Sequence, residues 1–203
     1  MKKNPLWTLS VPFVNLFFKA FYNVEMKGDL PKSGPCVVLP KHQNLKDVPL
    51  EGLFIYSRRK NSARFIMRKF PLINGIFRAY GGITVARPRD LRKGRYTREE
   101  ADKINQETTD KVLYALKKEE VVVIHPEGTR SPDEMRKIRI SKNGTLDQIV
   151  RSQELTGEVS FIPTGINYSG RQIHLEAGDP YFTEDPRKLE EHLQKEIPRL
   201  SRL

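Results

Sequence analysis

The sequence predicts a single α/β layered domain: a mostly parallel central sheet flanked by helices and preceded by an aromatic amphipathic helical segment. Three observations predict it. Short apolar runs at 36–39, 83–86 and 121–124 read as buried strands, and VVVI at 121–124 is the clearest. Longer stretches of helical periodicity separate these runs, and strands alternating with helices argue for a parallel sheet. The 203 residues suit one domain with a full core. We divide the chain into an N-terminal membrane-interface helical segment, 1–24, and the α/β domain, 25–203.

Residues 6–22, LWTLSVPFVNLFFKAFY, are the most apolar stretch. Pro12, Asn15 and Lys19 interrupt it, so it falls short of a spanning helix of about 20 apolar residues. Thr8, Pro12, Asn15 and Lys19 recur at helical spacing and leave a wide aromatic face. Ser10 is read as the cap, with Pro12 in the first turn. A helix this aromatic either lies in a membrane interface or packs on the core, and the interface is the favoured reading. Lys2 and Lys3 ahead of an apolar run suggest a signal peptide, but no small-x-small cleavage site follows. GDLPKSG at 28–34 is a turn-rich connector, and 36–39 is the first strand. Residues 48–57 read as a helix, ended by Arg58, Arg59 and Lys60 at the negative end of its dipole. A strand at 64–67, an amphipathic helix at 70–80 ended by Gly81 and Gly82, and a strand at 83–86 follow. Arginine-rich 88–98 is read as a loop, 99–118 as a long helix and 121–124 as a strand. Residues 125–131 form the loop at its end, 131–143 are basic and irregular, and 144–154 are a helix candidate. The run 159–166 is an edge-like or irregular strand because of Pro163. A strand at 172–176 and a charged helix at 186–196 close the chain.

Thirty-six basic and 25 acidic residues leave a net charge of +11. That points to an anionic partner: nucleic acid, an anionic membrane surface or phosphorylated small molecules. A solvated, cation-rich surface is the plain alternative. No recognised nucleic-acid-binding motif is present, so no nucleic acid partner is predicted. Cys36 is the single cysteine, which excludes an internal disulfide and fits a reducing cytoplasm. His125-Pro126-Glu127 has the H-x-E look of a zinc deaminase, but the P-C-x-x-C segment is missing. No metal is predicted, and His174 and His192 are expected on the surface.

The chemistry concentrates in three loops that follow strands: KHQNLKD at 41–47, ARPR at 86–89 and HPEGTR at 125–130. In open α/β sheets ligands sit beyond the carboxyl ends of the strands. His42 and Asp47 would be about 140° apart on a helix, so they would not share a face. Pro49 places the helix start near Asp47, because proline is tolerated only in the first turn. His42 then lies in a loop short enough to fold back onto the carboxylate. An imidazole whose tautomer is fixed by a carboxylate is a general base. The alternative is that Asp47 caps the helix and His42 is a surface loop residue.

KHQNLKDVP resembles the HxxxxD block of the glycerolipid acyltransferases. Gly81, Ile83 and Arg87 in GGITVAR match their GxIxxxR block. HPEGTRS resembles FPEGTRS, with His125 in place of phenylalanine, and IPTGI at 162–166 is similar to VPxxI. Asn44 stands where serine is common. The order and spacing of the blocks also fit, from about residue 27 to 168. The resemblance implies transfer of a fatty acyl group from acyl-CoA or acyl-acyl carrier protein, the co-substrate, with no other cofactor. The implied acceptor is a lysophospholipid, most commonly 1-acyl-glycerol-3-phosphate, and the product phosphatidic acid. Glycerol-3-phosphate, another lysolipid or an amine-bearing lipid are the alternatives. His42 would take the proton of the acceptor hydroxyl and Asp47 would hold the imidazole. Arg87 and Arg130 would bind the acceptor phosphate, as planar bidentate donors. Gly128 would let the backbone approach a ligand, Glu127 would hold acceptor hydroxyls or brace Arg130, and Thr129 would meet phosphate or backbone. The basic surface and aromatic N-terminus together imply a peripheral or monotopic enzyme on the cytoplasmic side of the cell membrane.

Overall fold

The computed structural model describes residues 5–61, 63–68, 74–131, 134, 136–142 and 144–202. The elements in chain order are α1 (Pro5–Phe21), β1 (Asn23–Lys27), β2 (Cys36–Pro40), α2 (Asp47–Arg59), β3 (Ala63–Arg68), α3 (Asn74–Ala79), β4 (Gly82–Val85), α4 (Pro88–Arg92), α5 (Arg98–Lys117), β5 (Val121–Val123), α6 (Thr145–Arg151), α7 (Gln153–Thr156), β6 (Ser160–Ser169), β7 (Gln172–Ala177) and α8 (Pro186–Ser201). One sheet runs in the order β1-β7-β6-β2-β5-β3-β4. Strands β6, β2, β5, β3 and β4 are mutually parallel, β7 turns back antiparallel to β6, and β1 lies parallel to β7. The sheet is mostly parallel and covered by helices on both faces.

Successive side chains of a strand point to opposite faces, and β2 shows what each face holds. Cys36 and Val38 enter the cluster formed with Trp7, Leu50, Phe54 and Phe65, under α1 and α2. Val37 and Leu39 enter the other, with Leu116, Ile149, Phe161 and Leu193, under α5, α6 and α8. Every residue of β2 and β5 is buried, which is why both read as unbroken apolar runs. The helix α5 is set by a capping box: Thr97 accepts from the Glu100 N–H while the Glu100 carboxylate accepts from the Thr97 N–H.

Several expectations need correction. The helix α1 begins at Pro5, so Pro5 rather than Pro12 occupies the first turn, and Pro12 sits exposed in the interior. Ser10 caps nothing; its hydroxyl donates back to the Trp7 carbonyl at 3.0 Å. The arginine-rich loop contains α4, started by Pro88 in its first turn. The strand with Pro163 is not edge-like: β6 is ten residues long and lies between β2 and β7. Phe161 exchanges both backbone bonds with Tyr181, so Pro163, two residues on, faces the same side. There β7 pairing has ended at Ala177, and the Pro163 carbonyl accepts from Gly178, so the missing N–H costs no ladder bond. His174 is buried on β7, its two ring nitrogens 3.0 Å from Glu25 and 2.8 Å from Glu176, because the β1–β7 register sets Glu25 opposite it. His192 stacks on Tyr181 at 3.9 Å rather than standing free on the surface. The first half of the helix expected at 70–80 lies outside the described residues, and α3 covers the remainder.

Candidate active site

The loop between β2 and α2 turns back on itself around one carboxylate. Asp47 is the first residue of α2, fully buried, and no side-chain bond caps the helix. Its Oδ2 accepts from the backbone N–H of Gln43 and of Asn44, both at 2.7 Å, and lies 3.0 Å from His42 Nδ1. Its Oδ1 accepts from the Tyr168 hydroxyl at 2.6 Å. A carboxylate oxygen only accepts, so the proton of the His42 ring sits on Nδ1 and Nε2 is left as the acceptor. The His42 side chain keeps 17% of its surface exposed against none for Asp47. This imidazole can therefore take a proton from a group delivered at the sheet's edge.

The loop after β5 lies beside it. The Ile124 N–H donates to the Val38 carbonyl and the Ser131 N–H to the His42 carbonyl, which fixes the two loops side by side. Between them runs Lys41, wholly buried. Its Nζ lies 3.2 and 3.3 Å from the Glu127 oxygens and donates to Ser131 O at 2.5 Å, Ser131 Oγ at 2.8 Å and Glu134 O at 2.8 Å. Glu127 also accepts from the Ser131 hydroxyl and from the backbone N–H of His42 and of Arg136. A buried charge pair persists only when its remaining lone pairs and protons are satisfied, and here they are.

The sequence matches the Acyltransferase family over residues 22–167, most of the chain. The chain belongs to the acyltransferase family. The crystal structure of the 1-acyl-sn-glycerophosphate (LPA) acyltransferase, PlsC, from Thermotoga maritima has the same fold, with a TM-score of 0.66 and 21% identity over 97% of this chain and 78% of that one. A comparison with curated protein sequences gives no match.

In this acyltransferase the structure brings His42, Asp47 and Glu127 together, with Gly128, Thr129 and Arg130 on the adjoining loop. Gly128 has φ 65° and closes a turn onto the His125 carbonyl, and the space over it is open. Thr129 is half-buried. Arg130 is exposed and pairs with no carboxylate among the described residues, while Glu127 goes to Lys41 instead. Arg87 stands apart. It follows β4, three strands from β2, on the order of 14 Å across the sheet. Its guanidinium binds Asp90 at 2.9 and 3.4 Å and holds that carboxyl below its ordinary range. Arg95 shares the same carboxylate at 3.2 Å. A groove of about 580 Å³ runs beside β4, lined by Arg64, Arg78 and α5, and none of the predicted site residues lines it.

Sequence reasoning missed four residues of this acyltransferase site: Lys41, Glu51, Tyr168 and, as more than a departure from pattern, His125. His125 lies on the ring of His42, centroids 4.0 Å apart and planes 30° apart. Its Nε2 is 3.0 Å from Glu51 Oε1. Glu51 follows Asp47 by four positions, so both carboxylates project from one face of α2. That spacing was a legible signal. Tyr168 lay too far along the chain to be linked to Asp47 by any pattern. Burial, then the Asp47 charge, push its hydroxyl well above the ordinary tyrosine value, so it stays a donor.

Proposed function

We propose that this acyltransferase moves a fatty acyl group from a thioester, acyl-CoA or acyl-acyl carrier protein, to the free hydroxyl of 1-acyl-sn-glycerol-3-phosphate, giving phosphatidic acid. The observation that carries the chemistry is the His42 ring, bound through Nδ1 to a buried Asp47, which leaves Nε2 of a partly exposed side chain as the acceptor. Nε2 takes the hydroxyl proton as the oxygen attacks the thioester carbonyl. The tetrahedral species collapses, the C–S bond breaks, and the departing thiolate takes the proton from the imidazolium. Positioned bases of this kind contribute roughly 10²–10⁴-fold. No enzyme nucleophile is required, because a thioester is already activated. Cys36 does not supply one, since burial pushes its thiol up to about 12. The acceptor phosphate is assigned to Arg130, on the loop bonded to His42, with Arg87 and its exposed neighbours forming the outer basic approach. The likeness in fold to a protein described as a 1-acyl-sn-glycerophosphate acyltransferase supports this acceptor.

The enzyme is placed on an anionic membrane surface as a peripheral protein of the cytoplasmic side. No helix among the described residues is long and apolar enough to cross a membrane. What supports surface attachment is α1: Leu9, Phe13, Leu16 and Phe21 stand exposed along one face, Phe13 with 74% of its surface free. The net charge of +11 complements anionic lipid.

One experiment tests both acceptor and base. A labelled thioester is offered with a panel of acceptors: the lysophosphatidate, glycerol-3-phosphate, a neutral lysolipid and an amine-bearing lipid. The lysophosphatidate should be acylated at least tenfold faster than the others, and His42→Ala should bring every rate to background with the fold intact by circular dichroism. Preference for another acceptor overturns the substrate; residual turnover near normal in His42→Ala overturns the base.

A further inference from the structure

The strand β6 runs on past its pairing with β2. That ladder ends where Pro40 meets Thr164, yet β6 continues to Ser169. Beside the overhang lies the loop that carries His42, and β6 holds it at every second residue. The Thr164 carbonyl accepts from the Lys41 N–H at 2.9 Å, the Ile166 carbonyl accepts from the Gln43 side-chain amide at 2.6 Å, and the Tyr168 hydroxyl donates to Asp47 Oδ1 at 2.6 Å. Residues two apart on a strand repeat its geometry, so these three positions form one row. The first two contacts place the loop. The third acts on the imidazole–carboxylate pair. Oδ2 of Asp47 takes the Gln43 and Asn44 N–H groups and faces His42 Nδ1. A carboxylate held at one oxygen can still pivot about it. A donor at the other oxygen fixes its plane, and with it the lone pair aimed at Nδ1.

We propose that Tyr168 is a positioning residue for the general base: its hydroxyl fixes the plane of the Asp47 carboxylate, and Lys46 with Tyr22 joins that contact to the end of α1. The proposal rests on His42 being the base. The Tyr168 ring lies 5.1 Å from Lys46 Nζ, close enough for the cation to hold it by its face. The same ammonium stands 4.4 Å over the Tyr22 ring and donates to the Tyr22 hydroxyl at 2.9 Å. Tyr22 directly follows α1, and its N–H closes onto the Phe18 carbonyl. The end of α1 is tied to the same hairpin a second time. Arg171, between β6 and β7, donates to the Phe21 carbonyl at 3.1 Å and to the Ala20 carbonyl at 3.3 Å. The contacts therefore run unbroken from Tyr22 through Lys46, Tyr168 and Asp47 to His42. The buried half of this route is what the base feels: Asp47 is fully buried, so its carboxylate depends on protein donors rather than water.

The test uses Tyr168→Phe in the full chain, which keeps the ring and removes one hydroxyl. Its kcat should fall roughly ten- to a hundredfold, the weight of one hydrogen bond to a charged group, with KM for thioester and acceptor within about twofold of native. Ring-nitrogen NMR of His42, assigned with His42→Ala and recorded where the ring is neutral, reads the positioning itself. The native ring should show the proton on Nδ1 alone. In Tyr168→Phe the two nitrogen signals should move toward an average of both neutral tautomers. Unmoved nitrogen signals overturn the proposal, whatever happens to kcat. Moved signals with a native kcat keep the contact and remove His42 as the base. Lys46→Met leaves the hydroxyl in place and releases the ring from α1, so it carries the test even where Tyr168→Phe does not fold. Its kcat should fall about two- to fivefold, with the His42 signals moving in the same direction. A raised KM for the acceptor with unmoved signals would assign Lys46 to the substrate and overturn the link to α1.

Discussion

Asp47 accepts from His42, Gln43 and Asn44 at one oxygen and from Tyr168 at the other, so its two lone-pair sets tie the loop after β2 to β6. An asparagine can present an oxygen to only one of these sides. Asp47→Asn is therefore expected to turn the His42 ring or its tautomer and lower kcat by roughly 10²–10⁴-fold, with little change in KM for the thioester. A kcat within about threefold of native would detach the carboxylate from the chemistry. Lys41 calls for a different measurement. It is a fully buried cation whose removal strands Glu127, so Lys41→Met should cost about 3–5 kcal/mol in urea unfolding, and adding Glu127→Gln should recover part of that. The pairing of His42 with Asp47 could be read from a five-residue spacing and one proline, because both groups lie in one loop. Lys41 and Tyr168 could not, because their partners lie 86 and 121 positions away.

At the scale of elements, α1 serves two surfaces at once. Trp7 and Phe18 are buried in the core, and Trp7 meets Phe65 and Tyr80 edge-on at 6.5 and 6.0 Å. The opposite face is the exposed apolar stripe. The residue that follows the helix, Tyr22, reaches the site. Lys46, in the loop between His42 and Asp47, donates to the Tyr22 hydroxyl at 2.9 Å and lies 5.1 Å from the ring of Tyr168. The close approach of α1 to α2 depends on Gly52, where an added Cβ would overlap the six-membered ring of Trp7. Alanine normally favours a helix over glycine by up to about 1 kcal/mol, but displacing a locked indole costs about 1–3 kcal/mol. Gly52→Ala should therefore lower stability by about 1–2 kcal/mol, and in a Trp7→Ala background it should be neutral or stabilising; a gain in the native background would show that the indole is free to move. The aromatic periodicity of 6–22 revealed a helix but not its division of labour, because Trp7 and Phe18 differ from their exposed neighbours only in what lies opposite. The strand β1 went unread although Asn23–Lys27 alternates polar and apolar residues, because only two half-buried side chains, Val24 and Met26, carry that alternation on the rim of the sheet.

For the whole molecule, the parallel strands decide where the chemistry lies. Because β2, β5 and β4 run the same way, the loops after them emerge at one edge, and three separate stretches of sequence become one face. That much was legible, since alternation of strand and helix implies parallel strands. The order of strands was not, and it is the order that leaves Arg87 three strands from His42. In the proposed attachment the basic residues and the apolar face of α1 would act on the membrane through different forces, which gives a test of it. Coulombic attraction to lipid is screened by salt over a Debye length of about 8 Å at physiological strength, while burial of Leu9 and Phe13 is not. Binding to vesicles of mixed neutral and anionic lipid should weaken as salt rises and reach a plateau above zero. Replacing Leu9 and Phe13 together by glutamate removes the burial of two large side chains, about 1.5–3 kcal/mol each when complete, and should weaken binding about a hundredfold and abolish the plateau. The same variant should acylate detergent-dispersed acceptor at the native rate and vesicle-embedded acceptor far more slowly, because only the second substrate requires the enzyme to concentrate at a surface. Equal losses on both would mean that this face of α1 supports the site itself and that the membrane is held elsewhere.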